Sequence, residues 1–238
     1  MSEASPVYLQ LREQLLIWIK QKQLTSQDKL PAERELASQL HTTRITLRQA
    51  LSQLEAEGVI YRSNRRGWFI TPERLKYDPS RDVGFNVYVK SQGFGPRTET
   101  IAKSMIEAPK WLAEKCNLVN SSQVYHFIRR RYVDERALLI EHNYICAESC
   151  PDLLEKNTDD SIWQLLEQDY QLRPKKRAIE IYPQAIVGDE AQWLNVNTGC
   201  AGLYLERVSL SQNGDFLEYD QEYWIHDALK LAVNVDEP

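Results

Sequence analysis

Two groups of arginines stand out for what they could hold. In TTRITLRQALSQLEAEGVIYRSNRRGWFI (residues 42–70), Arg44 and Arg48 lie four apart, with Thr43 and Thr46 beside them. On a helix that spacing puts them on one face. Arg65 and Arg66 follow, directly before Gly67. A guanidinium in such a place can donate two hydrogen bonds to guanine O6 and N7. Threonine hydroxyls and a helix N-terminus suit phosphate oxygens. Exposed helical arginines are usually only solvated, and Arg48 could pair with a nearby glutamate. The combination of turn, loop tip and local charge is what points to nucleic acid.

The second group is Arg129-Arg130-Arg131, inside a run that alternates like a strand. Alternation puts Arg129 and Arg131 on one face and Arg130 on the other. Two arginines converging on an inner face need an anion, either a protein carboxylate or a ligand phosphate, phosphonate or carboxylate. Glu141 and Glu218 could hold an ammonium or hydroxyls, and Ser161 at a helix start is a further anion-suited group. In the alternative, Arg129 and Arg131 pair with Glu141 and Glu218 only to stitch the sheet. The role of Arg130 stays open at this stage.

The elements that must position these groups can be read from periodicity. Ser5 as N-cap and Pro6 start a first helix over 6–22, carrying Tyr8, Leu11, Leu15 and Ile19. A short helix spans 32–40 with Leu36, Ala37 and Leu40 inward, and a tight turn at 41–43 leads to a third helix over about 44–57 with Leu47, Ala50, Leu51 and Leu54 inward. Gly58 ends it. Two short β-type runs, 59–62 and 67–70, flank the polar tip and make a hairpin. Three helices and a hairpin in 70 residues predict a winged helix-turn-helix over residues 1–72. The proline-containing, mixed-charge segment at 73–83 reads as a linker.

Residues 84–238 predict a second, α+β domain with a mixed, largely antiparallel sheet. A helix lies within 83–93, two strands flank a turn at Asp134-Glu135, and a helix covers 159–170. A strand at 177–186, a short helix at 188–196 and a hairpin turning at Asn213-Gly214 complete it. Trp111, Trp163 and Trp193 read as core.

Charge is divided between the two parts. Residues 1–80 hold 12 Lys+Arg against 9 Asp+Glu, while the whole chain of 238 residues has net charge -5. A polyanion partner would therefore meet the first module. The sequence start lacks a signal-peptide pattern and no apolar run suggests a membrane span, so cytoplasm is the expected location. Cys116, Cys146, Cys150 and Cys200 read as free thiols, and no metal-ligand pattern or nucleophile–base pair is evident. Neither a metal, a cofactor nor catalysis is expected.

The segments LPAERELA (30–37) and TRITLRQALSQLEAEGVI (43–60), with a wing ending in GWFI, resemble the GntR family of bacterial transcription regulators. The resemblance implies DNA contacts at Arg34, Arg44, Arg48 and Gly67. That family's wing more often reads Gly-Arg-Gly-Thr; here Arg65 and Trp68 replace the first glycine and the threonine. Residues 84–235 resemble the UTRA effector domain of the HutC subfamily, whose fold is similar to that of chorismate lyase. The landmarks are SQGFGPRT (91–98), the strand pair at 124–145, SIWQLL (161–166) and GDFLEYDQEYWIHDAL (214–229). Carried over, the effector contacts fall on Thr98, Arg129, Arg131, Glu141, Ser161, Glu218 and Trp224. Within the subfamily the sequence is similar to the regulators of 2-aminoethylphosphonate uptake and breakdown (PhnR-type). A sugar phosphate or amino-sugar phosphate would also suit the same residues. The implied protein is a homodimeric repressor of a pseudo-palindromic operator, responsive to a small anion. A lyase-type enzyme is the rival reading.

Overall fold

The computed structural model describes residues 6–81, 83–119 and 121–233, the side chains of Lys176 and Arg177 apart. It divides into two compact units, with the boundary in the chain between Arg74 and Leu75.

The first unit contains α1 (Val7–Gln21), α2 (Glu33–Gln39), α3 (Arg44–Ala56) and the wing strands β1 (Ile60–Ser63) and β2 (Gly67–Ile70). Ser5, expected as the first N-cap, lies outside the described residues; Pro6 caps a helix that begins at Val7. Leu11 and Leu15 of α1 meet Leu36 and Ala37 of α2 and Leu47, Ala50, Leu51 and Leu54 of α3 in one core. The three-and-four spacing of those residues is what makes each helix one-sided. Gly58 takes φ +72, and the Val59 N–H reaches back to the Leu54 carbonyl at 2.9 Å, closing α3. The wing is an antiparallel pair in register from Ile60↔Ile70 to Ser63↔Gly67.

The second unit is built on a six-stranded sheet ordered β4-β5-β6-β9-β8-β7. Its strands are β4 (Pro96–Glu107), β5 (Gln123–Val133), β6 (Arg136–Cys146), β7 (Lys175–Ile186), β8 (Cys200–Leu210) and β9 (Phe216–Ile225). Every pairing in it is antiparallel. Helices α4 (Phe85–Lys90), α5 (Lys110–Cys116), α6 (Ile162–Tyr170) and α7 (Gly188–Trp193) accompany it.

Residues 73–83 are not a plain linker. Leu75–Tyr77 forms β3, which pairs in parallel with β10 (Leu229–Leu231) and buries Leu75 and Tyr77. Three alternating residues are too short a pattern to show as a strand, and their partner lies some 150 positions along the chain. The parallel pairing predicted for a mixed sheet is confined to this separate ribbon.

Register stacks the sheet's side chains in rungs. Arg129 lies beside Glu141, Glu141 beside Glu222, and Glu222 beside Leu205. The next rung runs Phe127, Asn143, Asp220, Arg207. One face of the sheet therefore carries a belt of charge, extended by Arg131 and Glu218 in the otherwise uncharged rungs on either side.

The other face carries a histidine pair. His126 Nε2 and His142 Nδ1 are 3.1 Å apart, and Tyr144 stacks on His126 with ring centroids 4.4 Å apart. Burial pushes both imidazoles down to about 4, with the neighbouring His142 adding to the effect at His126. Their folded values lie below the free value of 6.5, so the stability they contribute is present above pH 6.5 and lost as pH falls toward 4. Replacing both by glutamine should flatten the fall in unfolding free energy over that window; parallel pH profiles for the two proteins would refute the assignment.

Candidate functional site

In the first unit the N-terminal end of α3 is held by its own hydroxyls. Thr43 caps the helix, accepting from the Thr46 N–H at 3.1 Å, and its Oγ1 lies 2.9 Å from Thr46 Oγ1. Arg34, Arg44 and Arg48 are all exposed. Ile45, between Arg44 and Thr46, is 74% exposed, an apolar side chain at the N-terminal end of the helix that sequence reasoning passed over. Arg48 does pair with a glutamate: its Nε donates to Glu33 Oε2 at 2.7 Å. A bond through Nε still leaves the Nη1–Nη2 edge of a guanidinium for a second, bidentate acceptor.

At the wing tip, Arg65 adopts φ +60 and Gly67 φ +106. The left-handed conformation at Arg65 costs a non-glycine residue about 1 kcal/mol, which accounts for the glycine usual at that position. Arg66 lies over the Phe69 ring, 5.4 Å from its centroid. Trp68 is not a tip residue: it is buried in the core of the unit, and its indole N–H donates to Glu33 Oε1 at 3.2 Å.

In the second unit the charged belt opens into a cleft lined on the sheet side by Arg129, Arg131, Glu141, Arg207, Glu218 and Glu222. Tyr77, Phe85, Tyr88, Ser161 and Trp163 close it from the other elements. One oxygen, Glu141 Oε2, accepts from Arg129 Nη2 at 2.6 Å and from Arg131 Nε and Nη2 at 2.9 and 2.7 Å. Arg129 Nε continues to Asn143 Oδ1 at 2.8 Å. Asn143 in turn donates to Glu218 Oε1 at 3.3 Å and bonds Asp220. Arg207 Nη2 bridges Asp220 Oδ2 at 2.7 Å and Glu222 Oε1 at 2.8 Å. Three guanidiniums thus face four carboxylates, every one of them buried.

The carboxylates are not equivalent. Burial acts to raise Glu141, but Arg129 and Arg131 hold it down to about 2. Burial and the adjacent Asp220 push Glu218 well above the usual carboxylate range. Glu222 is raised by burial against the pull of Arg207. The cleft therefore combines a carboxylate held down by two arginines with one pushed up by burial and by a neighbouring carboxylate. Such a site suits a small molecule with an anionic group at one end and hydrogen-bonding or cationic groups at the other.

Of the residues predicted for an effector, Arg129, Arg131, Glu141, Ser161 and Glu218 all line the cleft. Thr98 and Trp224 stand behind it. Thr98 Oγ1 accepts from Arg131 Nη1 at 3.4 Å, and the Trp224 indole donates to Glu222 Oε2 at 2.7 Å from within the apolar core. Ser161 is engaged as the N-cap of α6, accepting from the Gln164 N–H at 3.3 Å. Trp163, expected as plain core, is only half-buried and donates to Glu218 Oε2 at 2.8 Å. Arg207, Asn143, Asp220 and Glu222 were missed, although Glu218, Asp220, Glu222 and Trp224 alternate in LEYDQEYW and so share one face. Arg130 is taken up on the opposite face, where it donates to Glu99 Oε2 and to the Trp193 carbonyl, both at 2.8 Å.

Residues 91–230 match the UTRA domain model and residues 7–70 match the model of the bacterial regulatory proteins of the gntR family. The HTH-type transcriptional repressor NagR of Bacillus subtilis is 30% identical over 97% of this chain and 95% of its own. A probable fructoselysine utilization operon transcriptional repressor of Escherichia coli K12 is 29% identical over 96% and 94%. Among solved structures, PhnF from Mycobacterium smegmatis superposes with a TM-score of 0.67 at 21% identity, covering 95% of this chain and 99% of that one.

Proposed function

The chain belongs to the gntR family of bacterial regulatory proteins and carries a UTRA domain, and on that premise we propose which ligand this transcription regulator answers to and how. The effector is a small zwitterion, an anionic phosphonate or phosphate joined to an ammonium, with 2-aminoethylphosphonate as the representative. The single observation that carries this is the sharing of Glu141 Oε2 by Arg129 and Arg131. An incoming anion must take that carboxylate's place, and the displaced carboxylate, with Glu218 and Glu222 beside it, then needs a cation. A zwitterion supplies both.

As a homodimeric repressor, the protein would set two copies of α3 in successive major grooves of a pseudo-palindromic operator. Arg34, Arg44, Arg48, the Thr43–Thr46 cap and the wing residues Arg65, Arg66 and Gly67 form the DNA face of each copy. Effector binding favours one arrangement of the dimer over another, and a coupling of about 1–3 kcal/mol lowers operator occupancy. The relative named for fructoselysine utilization favours a second reading, in which the ligand is an amino-substituted sugar or its phosphate.

Thermal shift separates them. With 2-aminoethylphosphonate at about a hundred times its Kd, apparent stability should rise by about 2.7 kcal/mol, and the gain should vanish in Arg131→Ala. Ethylphosphonate and ethanolamine, each carrying one of the two charges, should do far less. A response to glucosamine 6-phosphate or fructoselysine alone would replace the aminophosphonate by the sugar reading.

A further inference from the structure

The wing and the recognition helix of the first unit are joined through one carboxylate. Glu33, at the start of α2, gives its two oxygens to two different elements: Oε2 accepts from Arg48 Nε of α3 at 2.7 Å, and Oε1 accepts from the Trp68 indole N–H of β2 at 3.2 Å. The side chain of Glu33 is 17% exposed and that of Arg48 is 65% exposed. The carboxylate is therefore the sheltered anchor and the guanidinium its outward end. Trp68 itself cannot move easily: it is 5% exposed within the unit's core, and the strand carrying it is tied at both sides. Its carbonyl accepts from the Leu30 N–H at 2.9 Å, and across the hairpin it is paired with Arg62, whose guanidinium lies 5.8 Å from the indole centroid. Burial would raise Glu33, yet the bonds from Arg48 and Trp68 keep it below the usual carboxylate range, so it stays charged for Arg48.

A long arginine side chain loses much of its rotamer freedom when it binds a base, and a partner that fixes it beforehand removes part of that cost. Trp68 makes the second bond to Glu33 with a donor carried on a ring that is itself packed in the core. The threonine more usual at this wing position has neither the reach nor the buried ring. We propose that Trp68 is a positioning residue for base readout in this protein: through Glu33 it presets the guanidinium of Arg48, so that seating of the wing and discrimination by α3 are coupled. A wing displaced from its strand pairing would withdraw the indole from Glu33 and free Arg48 to wander, leaving electrostatic attachment to DNA in place while sequence discrimination declines.

The inference rests on the reading that α3 meets DNA bases, and the test tells the two apart. Purified full-length protein is used to select from a pool of randomised duplex DNA, and the enriched motif is then measured against duplexes altered at single guanines. Trp68→Phe keeps an aromatic ring in the core but lacks the indole's second ring and its N–H. It should stay folded with a modest loss of thermal stability from the smaller ring and keep the salt dependence of binding, while losing about three- to tenfold in discrimination at one guanine per half-site, the range of one hydrogen bond. Glu33→Gln should lose discrimination at the same guanine. In an Arg48→Ala background, Trp68→Phe should cause no further change there. If wild type enriches no motif, the DNA reading itself fails. If wild type enriches one and Trp68→Phe discriminates as well as wild type, or its loss adds in full to that of Arg48→Ala, the positioning role is overturned.

Discussion

Arg129→Ala is expected to destabilise the second unit by about 3–5 kcal/mol, the usual consequence of removing one member of a buried ion pair. The reason lies in what it leaves behind. Glu141 would keep Arg131 but lose its 2.6 Å bond to Arg129, and Asn143 Oδ1 would lose the 2.8 Å bond from Nε. Both acceptors are buried, at 3% and 1% exposure, so bonds lost there are costly to leave unmade. Urea unfolding of the full chain measures the loss as a shift in the midpoint of the effector unit's transition. A variant within about 1 kcal/mol of wild type would show that the pairing contributes no more than a surface ion pair does.

The second large effect is on DNA. If each half of a dimer meets three phosphates through the arginines of α2, α3 and the wing, raising salt from 50 to 200 mM should weaken operator binding roughly a thousandfold. Fluorescence anisotropy across a salt series gives the slope directly. Arg66→Ala should lower that slope by about one per subunit for each phosphate contact removed, and it should weaken binding to all sequences alike. A slope near zero would exclude the proposed face. Trp68→Phe should leave this slope untouched, which separates contacts to phosphate from the orientation of Arg48.

The sequence made the first unit legible nearly whole because its signals are local. Leu47, Ala50, Leu51 and Leu54 repeat at helical spacing within one helix, and Gly58 and the wing punctuate the chain at positions where only a few backbone conformations are available. Arg129, Arg131 and Glu141 could be found because the same alternation that builds a strand also sorts its charges by face. What stayed hidden depends on distant partners. β4, a strand at the edge of the sheet, is largely exposed and shows little alternation, so nothing in residues 96–107 distinguishes it from a loop. β3 and β10 meet only because the whole unit closes. Arg207 was invisible as a cleft residue for a similar reason: its register with Asp220 is set by the β8–β9 hairpin, and its neighbours in the chain, Glu206 and Val208, face the other side. Trp163 misled because helical spacing shows which face a residue occupies but not that a carboxyl waits at the end of its N–H.

The clasp of Glu141 on Arg129 and Arg131 makes the protein its own competitor. A carboxylate tethered to the adjacent strand stands at an effective concentration that no dilution lowers, typically in the millimolar range or above for short tethers. Any free anion seeking those guanidiniums is measured against it. Ambient chloride, acetate or simple carboxylates, which offer no better geometry than Glu141 and no second group to hold, lose that contest at ordinary levels. A ligand wins only by bringing more acceptor oxygens or a second anchored charge. On the proposed reading of the cleft, the threshold for a response is written into the strand register, and shortening residue 141 to aspartate should lower it and broaden the range of anions that register.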